Sequence, residues 1–356
     1  MTSDTLPAET VAAGPTALRP SPAGVALLTW PVLDASGADA AVTARSGGVS
    51  SGPYATLNLS LSVGDDPGCV LENRRRLAAG FGASPEDFVF ARQVHGAAVR
   101  VVGVVDRGSG ASCLDDAVAD ADALVTTSPG VVLAILTADC VPIVLHDPVA
   151  AVLACVHAGW RGTVAGVTTA ALAAMQAFGS RPSDVIAGIG PAIAAARYQV
   201  GADVHQAVTQ AFGPAAAFIR PDANPDAHPD AHPDAHPDAH PDAHPDARPD
   251  AHPDARPDSG PNRWLLDLWA ANRHALVEAG VPAPQIHTTT LHTGPLDPAD
   301  PTAPTVSAAP INSMSVTDPT SPGYFFSDRS ARPCGRLALV ARLRAPGQKP
   351  MDVTLS

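Results

Sequence analysis

From Pro221 to Gly260 a proline stands at every fourth position, in ten tandem units written PDAH, PDAR, PDAN or PDSG. Each proline removes a backbone donor, so no continuous helix can run through the tract. Large apolar side chains are almost absent from it, and the surface it could bury does not offset the entropy of ordering it. The sequence therefore predicts a disordered, solvated insertion over 221–260, and the fold has to come from the residues on either side. Six histidines of the tract (His228, His232, His236, His240, His244, His252) alternate with Asp and could scavenge metal weakly. They are nearly half of the 13 in the chain and say nothing about a metal site in the core.

Charge needs the same separation. The tract holds ten Asp and two Arg, or −8 of the net −13, and leaves −5 for everything else. No basic stripe is present for nucleic acid, so a small-molecule partner is expected. A second stretch, 294–323, is rich in Pro, Ser and Thr and reads as a mobile loop. Residues 1–24 are rich in Ala, Pro and Thr and read as a disordered extension. They lack the basic start and apolar block of a secretory signal, and no run of eighteen apolar residues occurs in the chain. A cytoplasmic protein without membrane contact is expected. Five scattered cysteines, an odd number, argue against a disulfide framework and leave at least one thiol for chemistry. What remains is one domain over 25–345, interrupted by the two inserts.

Within that domain, strand and helix signals alternate. ADALVTT, VVLAILTADCVPIVLHD and AVLACVHAG are Val-, Ile- and Leu-rich runs and predict buried strands. Helices are predicted over 72–82, 163–178 and 264–280, the first and last stopped by glycine. The mixture indicates an α/β domain.

Three segments carry candidate chemistry: RQVHG with His95, LTADCVP with Cys140 at the end of a buried strand, and CVHAGWRG with His157. Cys140 and His157 fit the ends of two adjacent strands pointing the same way, where α/β folds gather ligands. Two imidazoles and a thiolate form a borderline-soft set that suits zinc, and three protein ligands leave the fourth position open. Spacing alone does not establish such a site, because a lone buried Cys or His is an ordinary core residue.

RSGGVSSGPYATLNLSLSVGDD, ENRRRL, RQVHG, DADALVTTSPGVVLAILTADCVPIVL, HAGWRGTVAGV and GIGPAIAAARYQVG, closing with FFSDRSARPCGRLALVARL, resemble in order the laccase-domain (polyphenol oxidase-like) purine nucleoside phosphorylase family. The resemblance implies a single α/β domain of layered mixed sheets flanked by helices. It implies zinc on His95, Cys140 and His157. It also implies phosphorolysis of adenosine, inosine, guanosine or methylthioadenosine, and adenosine deamination by the same site. An open zinc position suits deamination directly, since it activates water. Copper, which the laccase label suggests, is less well supported: the chain has seven His outside the tract and no H-x-H pair among them.

Phosphate requires cationic or backbone donors. Arg45 with Ser46, and Arg161 after His157, are the candidates. Asp139 beside Cys140 could orient a ligand or carry a proton, and Asn58 and Gln93 could touch substrate or satisfy loop backbone. The sequence departs from the family where cysteines are expected, at Ala196 or Arg197 and at His292–Thr293. Two other readings stay open: a cysteine hydrolase or deamidase using Cys140 with His157 as base, and a zinc-binding module without turnover. Because the repeat tract contributes nothing to the core, deleting residues 223–258 is expected to leave phosphorolysis within about twofold of the full chain in a steady-state assay. Loss of zinc or activity would show that the tract is more than a spacer.

Overall fold

Apolar runs in this chain become strands covered on both faces, within the residues that the computed structural model describes: 11–13, 16–223, 263–294, 323–345 and 347–351. The chain divides into two compact units, 1–193 with 268–356, and 194–267. The larger unit begins with β1 (Val11–Ala13), β2 (Thr16–Pro20), β3 (Ala26–Thr29), α1 (Pro31–Ser36), β4 (Ala38–Thr43), α2 (Pro67–Phe81), β5 (Phe88–Phe90) and β6 (Val99–Val101). It continues through β7 (Ala123–Thr126), β8 (Val132–Thr137), β9 (Val141–Asp147), β10 (Val152–Ala158), α3 (Trp160–Val164), α4 (Val167–Gln176) and β11 (Ile186–Ile189). The smaller unit holds β12 (Gln199–Val200), α5 (Ala202–Phe212), β13 (Ile219–Pro221) and β14 (Trp264–Leu266), its strands ordered β12-β14-β13. The larger unit resumes with α6 (Leu268–Glu278), β15 (Ile286–Thr288) and β16 (Leu337–Leu343).

Two mixed sheets build the larger unit, one ordered β1-β2-β3-β4-β16-β8-β5 and the other β15-β11-β9-β10-β7-β6. Side-chain alternation along β8 shows how they stack. Leu133 and Ile135 join Leu339 of β16 and Leu153 and Cys155 of β10 in the core between the sheets. Val132 and Ala134 face the other way, onto Leu77, Ala78 and Phe81 of α2. Helix α4 covers the far side of the second sheet against β7 and β10. The result is a helix–sheet–sheet–helix layering, an α/β architecture in which the central strands are buried and mostly apolar.

Several expectations change. The 16–20 part of the 1–24 extension is strand, not disorder: Ala17 and Leu18 are buried, and Leu18 pairs with Leu28. Its Ala/Pro/Thr-rich surroundings hid a short apolar pair. The helix expected over 163–178 is broken at Gly166, whose φ of 80° ends α3 and starts α4. The helix expected from Trp264 starts as strand β14 and becomes helical only at Leu268. Residues 1–10, 224–262 and 295–322, which hold the first part of the extension and most of the repeat insertion and of the second loop, lie outside the described residues.

The closing strand is anchored by charge. Asp39, fully buried in β4, accepts from Arg342 at 2.9 Å and from Arg344 at 2.8 Å. Asp39→Ala leaves two poorly solvated guanidinium groups without their carboxylate, and should cost about 3–5 kcal/mol in urea unfolding; a loss below 1 kcal/mol would show that solvent or other acceptors replace it.

Candidate metal centre

Two loops cross from the first sheet to the second, and each delivers a ligand. One runs from β5 to β6 and carries His95; the other is the tight turn 138–140 from β8 to β9 and carries Cys140. The third ligand sits within β10, which pairs antiparallel with β9 in the register His157↔Pro142 and Ala158↔Val141. Cys140 therefore lies one step beyond the start of β9, beside the far end of β10. The expectation of two strand ends pointing the same way is thus corrected: an antiparallel hairpin brings the pair together, and Cys140 precedes its strand rather than ending one.

The donor atoms of His95, Cys140 and His157 all lie within 4.8 Å of one another. The imidazoles meet edge to face, 4.8 Å between centroids. His157 is buried, while His95 and Cys140 are half-buried, which leaves an approach from solvent. Burial opposes ionisation of the Cys140 thiol, but the charge and hydrogen bonds of His157 and His95 outweigh it and bring the thiol well below its usual value. Burial likewise opposes the His157 cation, and Cys140 and Asp122 outweigh it and raise the imidazole. The site favours a thiolate, the form that binds metal.

Asp122, absent from the sequence-level candidates, stands behind this set. Its Oδ1 accepts from His157 Nδ1 at 2.8 Å and from the His95 amide at 3.0 Å. Oδ2 accepts from the Gly96 amide at 2.7 Å and the Val94 amide at 3.3 Å. Burial works against its charge, but the His157 hydrogen bond and these amides bring its pKa below the usual carboxylate value. Asp122 immediately precedes β7, which pairs with β10 as Ala123↔Val156, so register sets it opposite His157. Nothing in the run DADALVTT marks one of its Asp residues as different; only the pairing register does.

Gly159 was also missed. A Cβ there would stand 2.9 Å from Cys140 Sγ and 3.2 Å from His95 Cδ2, so the cluster occupies the space a side chain would fill.

The remaining candidates separate. The buried Asn58 carboxamide is saturated: it donates to Ser60 O and Asp65, and accepts from the Ser60 and Arg336 amides. Gln93 clamps the Leu136 backbone through both ends of its amide. The Arg45 guanidinium donates to Ala55 O and lies over the Phe326 ring at 4.7 Å. The buried Ser46 hydroxyl has no hydrogen-bond partner. Arg161 lies in the first turn of α3, over Trp160 at 4.4 Å. Asp139 is buried, with φ of 82°, and its carboxylate accepts from Thr293 Oγ1 at 2.5 Å and the Arg329 amide at 2.6 Å. Burial raises its pKa. It ties the turn that holds Cys140 to the segments at 293 and 329. Thr293, which replaces an expected family cysteine, is one of those ties.

With this geometry in hand, a family model described as multi-copper polyphenol oxidoreductase laccase matches residues 39–236. The chain belongs to that family. It is similar to the purine nucleoside phosphorylase of Deinococcus radiodurans, 47% identical over 46% of this chain and 60% of that protein, so the match spans less than two thirds of this relative's length. It is 36% identical to the purine nucleoside phosphorylase YlmD of Geobacillus stearothermophilus over 71% of this chain and 79% of that one. The crystal structure of YlmD from Geobacillus stearothermophilus superposes with a TM-score of 0.66 at 31% identity, covering 90% of this chain and 96% of that chain. Within this laccase-family scaffold the His–Cys–His set is the one metal-ligand cluster among the described residues.

Gly159→Ala is expected to displace the Cys140 sulfur and weaken zinc uptake by about tenfold, measured by chelator competition, with thermal stability nearly unchanged. Unaltered zinc affinity would mean the sulfur has room to move.

Proposed function

We propose that the protein is a zinc-dependent purine nucleoside phosphorylase. It cleaves adenosine, inosine, guanosine or methylthioadenosine with phosphate to the free base and the (methylthio)ribose 1-phosphate. The observation that carries this reading is the convergence of His95, Cys140 and His157 in a chain whose relatives bear that name.

The donor set fits one zinc ion. Tetrahedral zinc holds nitrogen at about 2.0 Å and sulfur at about 2.3 Å, and donors within 4.8 Å of each other reach that geometry by small side-chain rotations. A multi-copper centre needs more imidazoles. Among the described residues the cluster holds only two imidazoles; His146, for example, bonds to Ser36 and His292 stacks on Trp269. When bound, zinc would supply Lewis-acid charge, which serves adenosine deamination directly by activating water and phosphorolysis by positioning the substrate or polarising the base.

The chain's own residues do the rest. In phosphorolysis a phosphate oxygen bonds to the sugar C1′ as the C–N bond breaks, and its electron pair leaves with the purine. Arg161, two residues past Gly159, is assigned to hold phosphate beside the cluster, and the Arg45–Ser46 turn is the second candidate. Asp139 fixes the position of Cys140 through Thr293 and the 329 backbone rather than touching substrate.

A second reading has an observation in its favour. Cys140, His157 and Asp122 also stand as nucleophile, base and orienting carboxylate, the order a cysteine hydrolase uses. Metal content separates the two, because zinc on Cys140 occupies the thiolate. Purified protein should carry about one zinc per chain and release adenine from adenosine only when phosphate is present. Cys140→Ala should lose both zinc and phosphorolysis while keeping its circular-dichroism spectrum. Activity that survives metal removal would replace this proposal with the cysteine hydrolase, and zinc without phosphate-dependent product would leave a binding module.

A further inference from the structure

A histidine has two nitrogens, and which one bears the proton decides whether it can bind metal from a given direction. In His157 that choice is made by Asp122. Its carboxylate sits 2.8 Å from Nδ1, is fully buried, and among the described residues accepts from the ring and three consecutive backbone amides. A carboxylate accepts only, so Nδ1 carries the hydrogen of this bond, and Nε2 is the nitrogen turned toward Cys140 and His95, the one that must give up its proton when an ion binds. The same backbone places the ring, since the His157 amide donates to the Asp122 carbonyl at 2.7 Å.

The other side of the carboxylate acts on the second histidine. His95 has φ of 57°, a left-handed conformation that costs a non-glycine residue about 1–2 kcal/mol. Successive N–H groups in such a turn form a concave anion-binding nest. Here the nest is Val94, His95 and Gly96, and Asp122 fills it. One side chain therefore sets the ring of one ligand and the backbone of another.

We propose that Asp122 is the positioning residue of the metal centre, selecting the Nδ1–H form of His157 and holding the His95 turn so that both imidazoles are aimed before the ion arrives. The proposal rests on the metal-binding reading above. It is an assignment toward the metal, distinct from the role of orienting a base for a cysteine nucleophile.

Asp122→Asn tests it, because an amide cannot accept on both sides. With its NH2 toward the ring, it opposes Nδ1–H and favours the form protonated at Nε2, which cannot ligate. With its NH2 toward the turn, it opposes the Val94 and Gly96 amides and releases His95. Either way zinc affinity should fall by about 10- to 100-fold in chelator competition, on protein shown folded by circular dichroism. A purely structural residue would lower the melting temperature without changing affinity at a matched folded fraction. A second measurement needs no variant: in zinc-loaded wild-type protein labelled with 15N-histidine, His157 should show a protonated Nδ1 and a metal-bound Nε2. Metal on Nδ1, or an Asp122→Asn protein that binds zinc as tightly as wild type, overturns the assignment alone. A wild-type protein that takes up no zinc overturns the metal reading and this assignment with it.

Discussion

The antiparallel register of β7, β10 and β9 is the constraint from which the site follows. Pairing Val156 with Ala123 on one side and His157 with Pro142 on the other sets Asp122 beside His157 and brings Cys140, two residues before Pro142, to the same end of β10. A slip of one residue would turn His157 to the opposite face and carry Leu153 and Cys155 out of the core between the sheets. β10 is buried from Val152 to Ala158, so a slip would move buried side chains out of packed surroundings on both faces. The apolar layers and the chemistry are thus specified by the same set of hydrogen bonds.

Where the chain crosses between sheets, it does so through turns that are not relaxed. Two of the described non-glycine residues with positive φ are His95 and Asp139, one a candidate ligand and the other the neighbour of one. Each is supported by hydrogen bonds from outside its own loop: the His95 turn by Asp122, and the Asp139 turn by Thr293 and the 329 backbone. Such support costs little when the groups are buried and already ordered, and it converts a local strain of about 1–3 kcal/mol into a fixed ligand direction. Glycine at 159, and glycine at 162, whose Cβ would meet the Gly96 carbonyl at 2.9 Å, let α3 approach the two turns closely. Ligand direction here is a property of backbone as much as of side chain.

The strand runs were legible because a central β-strand in stacked sheets is buried on both faces, and β8, β9 and β10 are mostly apolar runs. Helix α2 was legible only at its end, where Gly82 stops it at φ of 65°; its start, at Pro67 with Asp66 accepting from the Cys69 amide, lies five residues before the expected 72. Strand direction and partner were not, since an apolar run reads the same in a parallel or an antiparallel pair. For that reason the ligand residues could be named while the geometry joining them was misread. Asp122 and Gly159 escaped for a related cause: both owe their role to what lies across the sheet, at a sequence distance no local pattern spans. The Trp264–Gly280 segment, helix-like in composition, begins as a strand because Trp264 to Leu266 pair with β12 and β13, a tertiary demand that outweighs propensity.

The family description speaks of multi-copper oxidation and the relatives' names speak of phosphorolysis, and a fold alone does not choose between them. The described side chains do bear on the choice. Electron transfer through several copper ions calls for imidazoles gathered in number. Among the described residues this scaffold gathers two with one sulfur, and it places His146 in a buried contact with Ser36, where desolvation pulls its pKa down to about 4. A single ion with two nitrogens, one thiolate and one open position has no need to change oxidation state in order to work. What the described residues provide is rigidity: the buried carboxylate and the two strained turns hold the three side chains of the candidate site in place.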